Sequence, residues 1–586
     1  MHKPIFMHKP IAAPALLTGL HLPNRWDVLL LPVVFGVLFL LAWGAHQMVE
    51  PYRFGAPLPV SLDPALLPEY TLRTTLRMGI ALLCSLLFTF IYAKAAVSSH
   101  RAEQILVPLL DILQSIPILG FLSITVLWFV HLFPGRLLGA ECAAIFAIFT
   151  SQAWNMAFSF YYSLRMLPKD LYQAASLFQL SAWQQFWKLE VPYAMPGLVW
   201  NTMLSVSGGW FFVVASEAIM VSNQTVLLPG IGSYIAVAIG QRNLPAVGYA
   251  ILAMLVVILL TDQLLFRPLV AWASKFKFEF AESQDAPRSW FLELLRRTWL
   301  VRRLMALPIR LGAWISLCMP RRPIIRQPLP KLRLWQRIDP WLDTLWLTFL
   351  VGMAILSIVL LARFILAGTS DAEIAHVFLL GLYTLARVVI LTVLASLIWV
   401  PAGIWIGLRP RLAQRIQPLA LFLSAFPANL LFPVIVSFIA VRHLNPEIWL
   451  SPLMILGAQW YILFNVIAGA AALPSDLKEA AANLGLRGWL LWRRVLLPAV
   501  FPACLTGGLT ASGGAWNASV VAEAAHWGAT ALTASGIGAY IAQQTVQGDH
   551  PRVALGIAVM SLYVVLFNRL FWKRLYTCAQ RRLALD

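Results

Sequence analysis

The chain has 586 residues, of which 60% are hydrophobic and only 12% are charged, and its mean hydropathy is +0.76. A soluble domain carries about 25% charged residues, so this composition excludes a soluble enzyme, a disordered scaffold and a nucleic-acid-binding module, despite a net charge of +19. The five cysteines form no Cys-x-x-Cys pair, which indicates neither a disulfide framework nor a metal site. We therefore expect a membrane protein.

Apolar runs long enough to cross a bilayer recur along the chain in two groups of six. A helix needs about 20 mostly apolar residues to cross the hydrocarbon core. The predicted spans lie at 27–48, 72–98, 105–132, 139–163, 196–221 and 246–270, and then at 342–366, 379–407, 417–441, 450–472, 503–526 and 552–571. We interpret the first run as a retained helix rather than a signal peptide, because it is long and further spans follow it.

The basic residues predict which loops face the cytoplasm. Lys and Arg beside a span resist translocation, and they collect in alternate loops and in the stretch 274–340. This bias predicts a multi-pass inner-membrane protein of about twelve spans with both termini in the cytoplasm. We expect a first half at 1–273, a basic linker at 274–340 and a second half at 341–586. Within the linker, Trp290 to Met305 has an apolar stripe and a basic remainder, which predicts a helix lying against lipid headgroups.

The two halves are internal repeats of each other. A single spacing of 306 residues joins Gln173 to Glu479, Trp154 to Trp460, Trp210 to Trp516, Glu217 to Glu523, Tyr234 to Tyr540 and Asp262 to Asn568. Upstream the spacing is 310, at Arg77/Arg387 and Pro117/Pro427, so the second half is shorter somewhere between Pro117 and Trp154. Because each half crosses an even number of times, the copies share one orientation. Parallel halves with a path between them are typical of transporters.

The most distinctive motif lies in a cytoplasmic loop of the second half. It reads Glu479-Ala480-Ala481-Ala-Asn-Leu-Gly485 and is followed by Leu497-Pro498. Adjacent alanines leave a helix face without bulk, which can enter a groove on another protein. Gly485 permits the positive φ that ends many helices, and Pro498 suits the start of a new one.

The first half carries a degenerate copy of this motif. It reads Gln173-Ala174-Ala175, with Gln179 where the second copy has Gly485, and Val191-Pro192 follows. We predict a short helix at the membrane surface in each half, able to pass a push into the bundle. An ordinary interfacial helix is the structural alternative.

These motifs together resemble a known family. Glu-Ala-Ala-x-x-x-Gly followed by a hydrophobic-Pro pair resembles the EAA signature of ATP-binding-cassette (ABC) importer permeases of the type I fold. The Thr-Leu-x-Arg run at 384–387, the prolines Pro117 and Pro427, and Gly-Ile-Gly-x-Tyr at 230–234 and 536–540 resemble the nitrate/sulfonate/taurine/bicarbonate branch. The resemblance covers about 70–272 and 380–577. It implies an all-α polytopic fold of two parallel six-helix repeats.

The resemblance also implies partners and a substrate class. No Gly-x-x-x-x-Gly-Lys-[Ser/Thr] occurs in the chain, so we expect no catalytic residue and no cofactor here, with ATP bound by a separate subunit. Two ATPase copies are implied, one for each loop, together with a periplasmic binding protein that supplies much of the selectivity. The expected cargo is a small anion or zwitterion. Because Gln173 and Gln179 replace Glu and Gly, we predict that the second loop dominates coupling.

Intramembrane acids mark candidate pathway residues. Glu217 and Glu523 lie seven residues beyond Trp210 and Trp516, on the same helix face. One interpretation places these pairs at the pathway or its gate. The other makes each acid a buried, hydrogen-bonded group that holds helices together.

Two other functions are weighed against the ABC permease. A six-plus-six secondary transporter also has parallel halves, but it would couple to an ion gradient and would need no paired alanine loops. A membrane enzyme would need clustered His, Asp or Glu, whereas the ten histidines are dispersed.

Overall fold

The computed structural model describes residues 60–221, 224–276, 289–298, 333–473, 475–528 and 530–583, with isolated positions between 32 and 46. The predicted span at 27–48 and most of the linker at 274–340 therefore lie outside the described residues. The part of the Trp290 to Met305 segment that follows residue 298 also lies outside them.

The first half consists of long helices with two short helices and one β-hairpin between them. Its elements are a 3₁₀ turn at Pro64–Leu66, α1 (Leu67–Ser98), α2 (His100–Ser115), α3 (Ile118–Leu132), α4 (Leu138–Met166), α5 (Lys169–Leu177), α6 (Ala182–Glu217), β1 (Ala218–Val221), β2 (Gln224–Leu227), α7 (Ile231–Gly240) and α8 (Leu244–Phe276). In the linker, α9 (Trp290–Arg297) follows its capping residue Ser289.

The second half repeats this order. Its elements are α10 (Arg333–Leu366), α11 (Asp371–Gly407), α12 (Pro410–Ala425), a 3₁₀ turn (Ala428–Leu430), α13 (Phe432–Val441), α14 (Pro446–Trp449) with a 3₁₀ turn (Ser451–Met454), α15 (Gln459–Ala471), α16 (Ser475–Asn483), α17 (Gly488–Ala522), β3 (Ala524–Trp527), β4 (Thr530–Thr533), α18 (Ile537–Gln547) and α19, which runs from His550–Phe567 through a π turn (Asn568–Trp572) into Lys573–Leu583. The predicted all-α polytopic class is confirmed, with two short antiparallel hairpins added.

Seven helices in the described part of the chain are long and apolar enough to cross a membrane, and ten spans result if each bent pair counts as one. The prediction from sequence was about twelve. The predicted span at 139–163 corresponds to α4, a helix of 29 residues. It is not among the helices counted above. Polar residues such as Thr150, Ser151 and Asn155 interrupt its apolar sequence, and these three line a cavity described below.

Three predicted spans are broken rather than continuous. α2 and α3 meet at an angle of 90°, α12 meets the following helical segment at 66°, and the segment Pro446–Met454 meets α15 at 42°, within the predicted span 450–472. The first two breaks stand at a proline: Ile116 before Pro117, and Phe426 before Pro427, have extended backbone. The ring of a proline disfavours the helical conformation of the residue before it, so these two breaks follow from the local sequence.

The β-hairpins end two further predicted spans early. α6 stops at Glu217 and α17 at Ala522, and β1–β2 or β3–β4 then forms before the next helix. These hairpins lie at the end of the bundle opposite to α5 and α16, because α6 and α17 connect the two ends.

Each half has its own core, and each core is completed by the other half. α4 packs between α1 and α6, and α15 packs between α11 and α17. Ala425 and Leu430 of the second half are buried in the first-half core, while Leu119 and Ile239 of the first half pack against the second-half core. The broken helices therefore join the halves.

Candidate functional site: two loop helices and a cavity between the halves

The two predicted loop helices end in the same backbone turn. In the second half Gly485 has φ +67, and its N–H and that of Leu486 donate to Ala482 and Ala481, at 3.0 Å each. In the first half Gln179 adopts φ +53 and the equivalent bonds form from Gln179 and Leu180. The predicted positive φ of Gly485 is confirmed. Gln179 takes the same conformation without the advantage of a missing Cβ.

The loop helices expose their tips and bury one alanine each. Phe178 is 80% exposed, and its repeat counterpart Leu484 is 76% exposed. Ala175 and Ala481 are buried against the bundle, whereas Gln173, Glu479 and Ala480 are exposed and Ala174 is half-buried. One alanine of each pair therefore allows the loop helix to approach its own bundle closely, and the neighbouring residues remain available to a partner.

After each loop helix a long helix follows, and it does not begin at the proline as the sequence predicts. α6 and α17 are continuous and contain π turns at Phe186–Glu190 and Trp492–Leu496. Pro192 and Pro498 each lie two residues after the π turn, where a proline would otherwise clash with a carbonyl of the preceding turn. The π turn removes this conflict, so α6 and α17 each continue as one helix past the proline.

The first loop is tied to the bundle by an ionic contact. Glu190 accepts from Lys94 Nζ at 2.5 and 2.6 Å and from the Tyr172 hydroxyl of α5 at 3.2 Å. The repeat counterparts of Lys94 and Glu190 are the apolar residues Ile404 and Leu496. The two loops thus differ in their attachment as well as in their motif residues.

A cavity of about 810 Å³ lies between the halves. It extends along α17 from Ala518 to Thr506, towards the end that carries α16, and along α19 as far as Thr577. Its wall is rich in small and polar residues: Thr150, Ser151, Asn155, Asn201, Ser205, Gly208, Asn465, Thr506, Thr510, Gly513, Gly514 and Asn517. A cavity of this size accommodates a small hydrated solute.

The breaks in the helices form the far end of this cavity. The N–H of Ile118, at the start of α3, donates to Asn517 Oδ1 of α17 at 2.9 Å. The equivalent contact in the other direction runs from Asn429 Nδ2 to the carbonyl of Phe211 on α6, at 3.4 Å. Each half therefore inserts its broken helix against the long helix of the other.

Beyond the breaks, the halves are joined at the hairpin end. The N–H of Gly528, after β3, donates to the carbonyl of Ile239 on α7 at 3.0 Å, and Arg242 donates to Thr530 on β4 at 3.2 Å. The cavity is therefore bounded at the hairpin end and extends towards the loop-helix end.

The predicted acids form two equivalent ion-pair clusters. Arg77 donates to Glu141 through two parallel bonds of 2.6 and 2.7 Å and to Glu217 at 2.7 Å. In the second half Arg387 pairs with Glu523 at 3.1 Å and with Glu447. The first cluster is fully buried, whereas the side chains of Arg387 and Glu447 are 14% and 43% exposed.

The Thr and Gly-Ile-Gly motifs hold these acids in place. Glu217 accepts from Thr74 at 2.7 Å and from the N–H of Gly232 at 2.7 Å. Thr384 and the N–H of Gly538 contact Glu523 in the same way, at 2.8 Å each. A Cβ on Gly230 would stand 2.4 Å from the Glu217 carboxylate. The carboxylate thus sits at the N-terminus of α7, where the helix dipole favours negative charge.

The four predicted pathway residues fall in different places. Among them Trp516 lines the cavity, while Trp210, Glu217 and Glu523 are buried within their own halves and are absent from its described wall. A gating role for Glu217 and Glu523 stays a prediction, although their bonds resemble those of helix-locking acids. Glu141 and Glu447 were not among the predicted residues, although their spacing of 306 was available as a signal.

The chain belongs to the family of binding-protein-dependent transport system inner membrane components. That family matches twice, at 80–267 and 399–572, which together make up more than half of the chain. This confirms the internal duplication and the resemblance to ABC importer permeases. The protein is a multi-pass membrane component of a transport system, and such components are not themselves catalytic.

The chain is similar to permeases for small solutes. It is 29% identical over 187 residues to the nitrate import permease protein NrtB of Leptolyngbya laminosa, covering 32% of this chain and 63% of the relative. It is 26% identical to the bicarbonate transport system permease protein CmpB of Synechococcus elongatus, covering 30% and 60%. It is 28% identical to the glycine betaine/carnitine transport permease protein GbuB of Listeria monocytogenes, covering 28% and 54%. Each match spans less than two thirds of the relative.

Proposed function

We propose that the chain is the membrane-spanning permease of an ATP-driven importer, with both halves of the pathway fused in one polypeptide. The observation that carries this proposal is the pair of loop helices, α5 and α16. They share one turn geometry, expose their tips and stand at the end of the bundle towards which the cavity extends. A separate ATPase seated on each loop would push on the long helices that line the cavity.

The proposed complex contains two ATPase copies and a periplasmic binding protein. The basic loops and linker support an arrangement in which α5, α16 and both termini lie in the cytoplasm. The hairpin end would then face the periplasm. ATP binding would bring the loop helices together and open the pathway outwards. ATP hydrolysis would reset it.

The proposed cargo is a small anion. Among the described residues that line the cavity, the charged ones are Asp111, Arg569 and Lys573, so the wall carries one net positive charge. The names of two relatives specify nitrate and bicarbonate. A zwitterion is the second candidate, because a third relative is named for glycine betaine and carnitine.

Reconstitution tests this function. The chain is purified with the ATPase that copurifies with it and is placed in proteoliposomes with the neighbouring binding protein. We expect uptake of nitrate, bicarbonate or taurine that requires ATP and that falls in Glu479→Ala. Uptake driven by an ion gradient, without ATP or the ATPase, would instead establish the secondary transporter.

A further inference from the structure

The repeats differ at three positions on their last helices. Asp262 and Gln263 of α8 correspond to Asn568 and Arg569 of α19, and Arg267 corresponds to Lys573. In α8 the cation is neutralised, because Arg267 Nε lies 3.0 Å from Asp262 Oδ2. In α19 the acid is replaced by an amide, so the same turn carries two positive charges and no negative one.

This difference coincides with the wall of the cavity. Asn568, Arg569 and Lys573 line the cavity, whereas their three counterparts on α8 do not. Neither cation has a carboxylate partner in the described part of the chain. The one acid of the wall, Asp111, accepts from Gln114 at 2.9 Å and forms no ion pair with either cation. The positive charge is therefore available to a solute.

The helical frame around these cations is well fixed. The π turn at Asn568–Trp572 separates the two parts of α19, and the indole of Trp572 is held against Gly508 of α17, where a Cβ would stand 2.5 Å from the ring. Lys573 follows Trp572 directly. Arg569 and Lys573 are four residues apart, one helical turn, and therefore lie on the same face.

We infer that Asn568, Arg569 and Lys573 form an anion-binding subsite at the loop-helix end of the cavity, which receives the transported oxyanion before its release. The proposal rests on the proposed import function and assigns its charge selectivity to one half only. Two cations with hydrogen-bond donors suit a small oxyanion. The neighbouring amide of Asn568 can donate to the same oxyanion without neutralising the cations.

Anion binding to the purified permease tests the subsite without transport. Thermal unfolding is followed in sodium nitrate and in sodium gluconate of equal ionic strength, in nanodiscs of neutral lipid. We expect nitrate to raise the unfolding midpoint of the wild type, and Arg569→Gln and Lys573→Gln to weaken nitrate binding about fivefold to tenfold. Arg574→Gln is the matched control, because it removes an adjacent cation that does not line the cavity. It should respond like the wild type.

Restoring the acid of the first half gives a second test. Asn568→Asp should pair with Lys573 as Asp262 pairs with Arg267, and should lower both nitrate binding and the maximal rate of ATP-driven nitrate uptake at least fivefold. Unchanged binding in Arg569→Gln, Lys573→Gln and Asn568→Asp would overturn the subsite. The subsite would also be overturned if the variants changed only the stabilisation of the permease by phosphatidylglycerol and not its response to nitrate. The cations would then contact lipid headgroups. A wild-type complex that binds nitrate without importing it would instead contradict the proposed function.

Discussion

The two ion-pair clusters allow a matched test of how burial sets the energetics of this fold. Arg77 bridges Glu141 and Glu217, and all three side chains are 0% exposed. Arg387 bridges Glu447 and Glu523, but it reaches solvent and Glu447 is 43% exposed. Replacement of either arginine by methionine removes the same charge at equivalent positions of the two halves.

The expected costs differ because the carboxylates that remain differ in their access to water. Arg77→Met leaves two buried carboxylates without a cation, and breaking a buried pair in this way costs about 3–5 kcal/mol. In Arg387→Met, Glu447 is hydrated and retains its bonds from the N–H and hydroxyl of Ser535, at 2.9 and 2.6 Å. Exposed pairs contribute about 0–1 kcal/mol, but the buried Glu523 loses its cation in this variant. We therefore expect Arg387→Met to cost about 3 kcal/mol, the lower end of the range for one broken buried pair.

The free energy of unfolding, measured by SDS titration in mixed micelles, distinguishes the two variants. Arg77→Met should lose about 1–2 kcal/mol more than Arg387→Met, because it leaves two buried carboxylates without a cation rather than one. The double variant Arg77→Met/Glu141→Gln should recover part of the loss, because it removes one of the two stranded charges. Equal losses in the two single variants, or no recovery in the double variant, would refute the argument from burial.

Three further predictions concern the two loop helices and the surroundings of Glu523. Glu479→Ala should reduce stimulation of the partner ATPase more than Gln173→Ala, and equal losses would contradict the predicted dominance of the second loop. Gly485→Ala should raise hydrogen exchange at the end of α16, since its φ of +67 costs an L residue about 1–2 kcal/mol. For the same reason Gln179→Gly should slow hydrogen exchange in α5. The opposite pair of changes would show that the positive φ is not strained at these positions. Gly536→Ala should destabilise the chain by about 1–3 kcal/mol, because its Cβ would stand 2.2 Å from the Glu523 carboxylate. An unchanged SDS titration would show that the groups around this carboxylate shift to admit the Cβ.

Several features were predictable because they depend on local sequence. The apolar runs gave the helices, and the fixed spacing between halves gave the duplication, since both are patterns of composition along the chain. The positive φ of Gly485 followed from the ending of a helix at a glycine. The breaks at Pro117 and Pro427 were missed although the signal was present: each proline lies inside an apolar run long enough to be read as one span.

Other features depend on contacts between distant segments. Glu217 was singled out as an intramembrane acid, but its partners Arg77 and Thr74 lie 140 and 143 residues away. The apolar sequence around Glu217 did not distinguish a residue of the pathway or its gate from a buried acid that holds helices together. The sequence comparison paired Asp262 with Asn568, yet only the packing of α19 places Arg569 and Lys573 on the cavity wall.

By itself, the sequence determined that this chain is a duplicated membrane protein with two loop helices. Hydropathy, charge bias and repeat spacing depend only on the order of residues along the chain. The tertiary structure alone decided which of two equivalent side chains faces water and which is enclosed. Near-identical motifs acquire different surroundings when the halves pack against each other, and burial, rather than residue type, then sets the energy of a charge.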